Sequence, residues 1–400
     1  MPLRPPAGFI SAFYDPLKNP NAPTPGTPVA GDSSADIPVT APSNIGGSAI
    51  TGYGAISTPG GFVGTSATST VSVTGLTNGT AYTFAVWAIN SYGPSAYSTA
   101  SGSVTPTLQR GIFASTEMQI DYITISTLGN SVGFGDLVSG TFYNPAGCGS
   151  TTRGVIGGGG IGLSESAVMQ YITFATTGNA TNFGNLTAAR DYLMGCSSST
   201  RGIFAGGQET SGPPYVTNYL NTIDYITIAT TGNASSFGDL TVGRNKSAAC
   251  SSPTRGVFGG GFNGGGMNNI DYITIASTGN ATDFGDLART NYDLAAFSSS
   301  TRGVWAGGSD GSTRKQIQYI TIASTGNTTN FGDLVQSQYT NGGVSSNTRG
   351  VCGGGATLSG NANALNYVTI ATTGNATYFG DLITNGTNVA VMSNCAGGVQ

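Results

Sequence analysis

Three arginines, Arg190, Arg244 and Arg289, fall at related places in a repeating sequence with Tyr292 close by, and Tyr215 and Tyr219 lie in its longest variable loop, 206–222. Tyrosine and arginine are favoured anchors of recognition surfaces, and aromatic rings set among Asn and Arg suit a sugar or a peptide. These residues form the candidate ligand-binding set, and the chemistry they point to is binding rather than bond-making. The catalytic alternatives are thin. The 400 residues contain no histidine, which removes the commonest general base and the commonest transition-metal ligand. Glycine runs at 157–160 and 259–266 neither continue into Gly-Lys-Ser/Thr nor open a helix, so they read as strand ends and loops rather than phosphate cradles. Of the five cysteines, Cys148, Cys196 and Cys250 occupy a place held by Phe297, Val344 and Met392 in other copies. Cys352 likewise stands where Phe258 and Trp305 stand. Exchange with apolar residues marks core thiols, not metal ligands or a disulfide framework. No metal and no cofactor is expected.

Composition narrows the class further. A net charge of −4 with only 14 basic residues leaves no footprint for nucleic acid, since phosphate neutralisation needs clustered Lys and Arg. No stretch approaches the roughly 20 apolar residues of a membrane helix. The first residues hold no apolar run of signal-peptide length, so the expectation is a soluble protein not exported through a cleaved signal. Glycine is abundant, at 64 residues, and charged residues are only 8%. With 38% hydrophobic and 9% aromatic content this favours an all-β chain with many tight turns over disorder.

The elements that must position the candidate residues come from an internal repeat. An Arg-Gly pair recurs at Arg110, Arg153, Arg201, Arg255, Arg302 and Arg349. A Tyr-hydrophobic-Thr segment recurs at Tyr122, Tyr171, Tyr225, Tyr272, Tyr319 and Tyr367, and a Phe-Gly-Asp/Asn-Leu tetrad starts 12 residues after each. Only the Arg-to-Tyr distance varies, from 12 to 24. One loop per unit is therefore free to change length. Each unit reads as four short strands, with period-2 alternation in the Tyr segment and a Thr-Gly-Asn sequence suited to a tight hairpin after it. The first copy starts at its second strand, and residues 388–394 align with first strands elsewhere, so the C-terminal strand is expected to complete the N-terminal unit. The six Arg-Gly arginines are expected to bond turn carbonyls of their own or a neighbouring unit.

An Arg-Gly-hydrophobic stretch ending in a double glycine, then a Tyr strand, then an aromatic strand, resembles the kelch repeat across residues 110–400. Phe stands where that family usually carries Trp. The resemblance implies a six-bladed β-propeller, with recognition on the face that carries the variable loops. Residues 22–107 resemble a bacterial-type fibronectin type III domain, on the segments 40–53 and 76–95. Leu76 and Tyr82 fit its tyrosine corner. Val39, beside Pro38, replaces its early-strand Trp, which predicts irregular or loose packing there. Residues 1–21 form a Pro-rich arm in which Phe9, Phe13 and Tyr14 are the candidate attachment residues. The expected fold is thus all-β: a fibronectin-III-like sandwich, then a six-bladed kelch-like propeller closed by the C-terminal strand.

Arm, fibronectin-like domain and repeats together resemble virion structural proteins of tailed bacteriophages, especially those of cyanobacterial viruses. That resemblance implies a non-enzymatic virion component assembled in the host cytoplasm. Its N-terminal region would attach to other virion proteins, and its propeller would meet a host-surface glycan or protein. A purely structural decoration protein is the alternative. A hydrolase on a kelch-like fold is weaker, because no acid pair stands out from the repeat.

Overall fold

The structure is a computed structural model that describes residues 17–115, 118–138, 142–161, 164–213, 216–339, 342–357, 360–383 and 390–394. Every regular element among the described residues is a β-strand, and all the pairings are antiparallel. Two compact units divide the chain, Met1–Leu108 and Gln109–Gln400.

The first unit has two sheets around one core. Ser34–Thr40 pairs with Thr24–Pro25, Val29–Gly31 and Thr70–Thr74, while Gly52–Thr58 lies between Val63–Ser66 and Thr83–Asn90. Alternation buries Phe84, Val86 and Ala88 from one sheet against Ile37, Val71 and Val73 from the other. The Tyr82 hydroxyl accepts the Thr77 N–H at 3.0 Å, so Tyr82 satisfies backbone where the chain turns. Contrary to the expectation from Val39, Ser34–Thr40 is a regular strand. Val39 is buried and its N–H donates to Ser69, so a smaller side chain still fills the core. Ser95, Ser98 and Ser101 each bond the edge of Thr83–Asn90 twice, by N–H and by hydroxyl.

In the second unit, six four-stranded sheets follow the repeat. Sheet 4 is typical: Ala248–Ser251, Arg255–Gly259, Asn269–Thr274 and Thr282–Asp286 pair in that order. Sheets 2, 3, 5 and 6 occupy 146–185, 194–239, 295–333 and 342–381. Sheet 1 is assembled from both ends of the unit. Ala390–Ser393 pairs with Arg110–Ala114, which continues to Gln119–Thr124 and Val132–Asp136. First strands of consecutive sheets pack together, and Ala390–Ser393 touches both Gly342–Ser345 and Ala146–Gly149. Serine hydroxyls link them: Ser251 donates to Ser197 O and Ser298 donates to Ser251 O.

Apolar clusters lie between neighbouring sheets. One joins Met194, Cys196 and Ile203 of sheet 3 to Ala249, Phe258 and Ile273 of sheet 4. Another joins Val344, Val351 and Leu365 of sheet 6 to Phe113 and Ile123 of sheet 1. The second residue of each Arg-Gly pair sits against the preceding sheet. A Cβ on Gly256 would lie 2.8 Å from Cys196 Sγ, and one on Gly202 would press on Cys148 Sγ. The four described cysteines are free and buried. Burial pushes the thiols of Cys196 and Cys352 up to about 12, which keeps them protonated and inert.

One end of every sheet carries the same latch. Each Arg guanidinium lies over the Tyr ring of its own sheet, from 4.2 Å at Arg302 to 4.8 Å at Arg349. That ring meets the tetrad Phe edge-on, as in Tyr272 and Phe284 at 5.8 Å. The constant 12-residue spacing therefore sets two rings side by side on paired strands. Each guanidinium also donates to a carbonyl at the end of the third strand of the next sheet: Arg255 to Ile322 O at 2.9 Å, and Arg349 back to Ile125 O at 2.9 Å. The neighbouring-unit alternative was the right one. The Thr-Gly-Asn segment, by contrast, does not make a tight hairpin. Asn280 Oδ1 accepts the Asp239 N–H of the preceding sheet at 3.1 Å, and Gly279 N donates to Phe237 O. A Cβ on Gly238 would collide with Gly279 O, so the tetrad Gly and the Thr-Gly-Asn Gly form one docking pair between sheets.

Candidate functional site

The opposite end of each sheet carries the loops between second and third strands together with the connections to the next sheet. Their backbones zip together: Asp191 bridges Gln208, Asn245 bridges Phe262 and Tyr292 bridges Ser309. In sheet 3 the loop extends into a hairpin, Gln208–Ser211 against Val216–Tyr219, which places Tyr219 beside Phe262. Asn144, Tyr192, Lys246 and Asp293 hold equivalent places in successive connections, with φ of 56°, 51°, 53° and 56°. Each of the last three donates its N–H to the carbonyl of the one before. Non-glycine residues in the left-handed region are uncommon and collect where side-chain placement matters.

This row aims side chains at one place. Phe262 meets Tyr219 edge-on at 6.0 Å and Tyr292 at 5.5 Å. The Lys246 ammonium sits 4.9 Å from the Tyr192 ring and 5.9 Å from the Tyr292 ring, and 3.6 Å from Asp293 Oδ2. The result is a cleft of about 420 Å³ lined by Tyr192, Gln208, Thr217, Tyr219, Asn245, Lys246, Phe262 and Tyr292. Aromatic walls with a few convergent amides and hydroxyls are the make-up of a small-ligand site. Asn245 is 2% exposed, and its Nδ2 donates to Gln208 Oε1 at 2.5 Å. Its own Oδ1 has no partner among the described residues.

Charge surrounds the cleft more than it lines it. Burial pushes the Asp191 carboxyl up to about 6, the nearby Glu165 charge adds to the rise, and the Gln208 side-chain amide opposes it. Burial raises Asp293 as well, against the pull of Lys246. Burial also raises the Tyr192 hydroxyl.

Of the expected binding residues, the cleft brings together Tyr219 and Tyr292. Arg190 and Arg244 are corrections. Both are fully buried, so neither presents a guanidinium to a ligand. Arg190 pairs with Asp224 at 3.0 Å and Arg244 with Asp271 at 3.2 Å, each pair wholly enclosed. Thr187 and Thr241 hydroxyls complete the two carboxylates at 2.7 Å. Burial lowers both guanidinium pKa values, and the facing Asp opposes this. In later copies Asn291 and Gln338 occupy the Arg place, Gln318 and Asn366 the Asp place, and Asn366 donates to Gln338 Oε1 at 3.4 Å.

Arg289 is half-exposed and 3.8 Å from Asp310, which Arg314 also holds at 2.6 Å. It lines a different cleft, of about 380 Å³, with Arg314 and Lys315. Tyr215, Phe9, Phe13 and Tyr14 lie outside the described residues. Among the described residues no group of three or more His, Cys, Asp or Glu side chains could hold a metal ion, and no helix is long and apolar enough to cross a membrane.

Phe262, Lys246, Gln208 and Asn245 escaped the sequence reading. A signal was present: the residue after the double glycine changes from Gly160 to Gln208, Phe262, Ser309 and Ala356 in copies otherwise nearly constant there. No protein-family model matches the chain, and no curated protein matches it.

Proposed function

We propose that this chain is a non-enzymatic structural protein of a tailed-phage particle, and that its C-terminal unit recognises a host-surface glycan or protein through the Tyr219–Phe262–Tyr292 cleft. The cleft carries this reading. It is the place where half-buried rings, unpaired amide capacity and strained backbone coincide. In the same reading the six sheets are the blades of a kelch-like propeller. Support comes from the first strands packing in sequence and from Arg349 reaching Ile125, which repeats across sheets 6 and 1 the contact made between every other pair. Residues 22–107 are read as a fibronectin type III-like domain. Here the support is the two-sheet core and the Tyr82 contact to Thr77 N. Attachment of the N-terminal region to other virion proteins rests on the resemblance of arm, sandwich and repeats to phage proteins.

Two measurements test the proposal. Labelled full-length protein is expected to bind intact host cells, and the double variant Tyr219→Ala/Tyr292→Ala is expected to lose at least about tenfold in affinity with its melting unchanged. Undiminished cell binding by a folded double variant removes the receptor role and leaves a decoration protein. An antibody to residues 109–400 should decorate assembled particles in electron micrographs; unlabelled particles, with the protein found only free in lysates, overturn the virion assignment.

A further inference from the structure

We propose that the cleft takes an uncharged saccharide, one sugar face against the rings of Tyr219, Phe262 and Tyr292 and its hydroxyls on the Gln208 amide and the Thr217 hydroxyl. This deepens the proposed function and rests on its assignment of the cleft as the ligand site.

Charge selects against the other small-ligand classes. Among the described residues Lys246 is the one charged residue lining the cleft, and it is already engaged by Asp293 and by the rings of Tyr192 and Tyr292. An anionic sugar would find this ammonium neutralised and would face the carboxylates of Asp293, Asp191 and Glu165 behind it. A cationic ligand would have to displace Lys246 from the ring faces it occupies. What remains is a neutral, hydroxylated molecule with apolar C–H faces. The edge-to-face set at 6.0 and 5.5 Å leaves ring faces turned different ways, so one sugar ring can lie on a face while another ring meets its rim.

One amide is left to meet the ligand. Gln208 Oε1 accepts from Asn245 Nδ2, so the Gln208 amide nitrogen and the Thr217 hydroxyl, both lining the cleft, are the polar groups offered to sugar hydroxyls.

The test uses the full chain on an array of neutral and of sialylated or uronate-bearing oligosaccharides at pH 7.5. Wild type is expected to retain neutral glycans, and Tyr219→Ala/Tyr292→Ala is expected to lose them. Retention of acidic glycans alone overturns the ligand class. If the array stays empty while host-cell binding still requires Tyr219 and Tyr292, the cleft assignment survives and the saccharide does not. If cell binding ignores those tyrosines, the cleft assignment itself fails.

Discussion

At one end of the sheets in Gln109–Gln400, Arg, Tyr and Phe repeat a single set of contacts six times, each guanidinium over its own Tyr and bonded to the next sheet. At the other end the described connections differ in their side chains. Buried Arg–Asp pairs hold two of them, neutral amides hold two others, and rings crowd around Lys246. The constant end does the same mechanical task in every copy, so one solution recurs. The variable end has to present different side chains, and each connection satisfies its buried polar groups in its own way.

The sharpest way to break the contrast is beneath the variable end. Arg244→Met strands Asp271 without its counter-charge, and denaturant melts of the second unit should show a loss of about 3–5 kcal/mol. Arg244→Gln with Asp271→Asn copies the neutral chemistry of Gln338 and Asn366 and should recover most of that loss; failure to recover would mean the charge itself is required. Tyr219→Ala with Tyr292→Ala comes next. About 2 kcal/mol of ligand binding should vanish in cell-binding titrations while stability moves little, because these rings are half-buried at the rim.

At the constant end, Arg255→Met should cost about 1–2 kcal/mol of stability by removing one charged hydrogen bond and one ring contact. Binding should be untouched, and a binding defect with normal melting would dissolve the division of labour between the two ends. The smallest effect concerns Asp191. Its folded pKa is raised from 3.8 to about 6, so its stabilising contribution is full below about pH 4 and is lost as pH rises through 6. Asp191→Asn should therefore flatten the melting-versus-pH curve across that window, raising stability at pH 7 relative to wild type.

Sequence alone yielded much of the constant end, because its signals lie at fixed spacing inside each copy. Tyr272 and Phe284 are 12 residues apart and touch. Segment 388–394 aligned with first strands, and the strand within it, Ala390–Ser393, pairs with Arg110–Ala114. Thr-Gly-Asn was misjudged because its partner is in the preceding sheet, and turn propensity says nothing of contacts some 41 residues away. Arg190 and Arg244 looked like surface anchors for the same reason. Their carboxylates stand one sheet onward, and only a comparison among copies, Arg with Asp against Gln with Asn, hints that the two positions vary together. Tyr219 and Tyr292 were legible from type and place. The convergence of Phe262 and Lys246 on them depends on left-handed backbone, which no local pattern announces.

The strand that completes sheet 1 has a consequence for load. Ala390 faces Ala114 and Ser393 faces Gly111, while Arg110 N donates to Asn394 Oδ1 at 2.7 Å. Residues 110 and 394 thus leave the sheet side by side. Tension applied between them would act on the bonds singly, as when tape is peeled, whereas tension along the strands would act on all of them together. A pull on this unit from residue 109 alone, with the rest free to turn, never peels the seam.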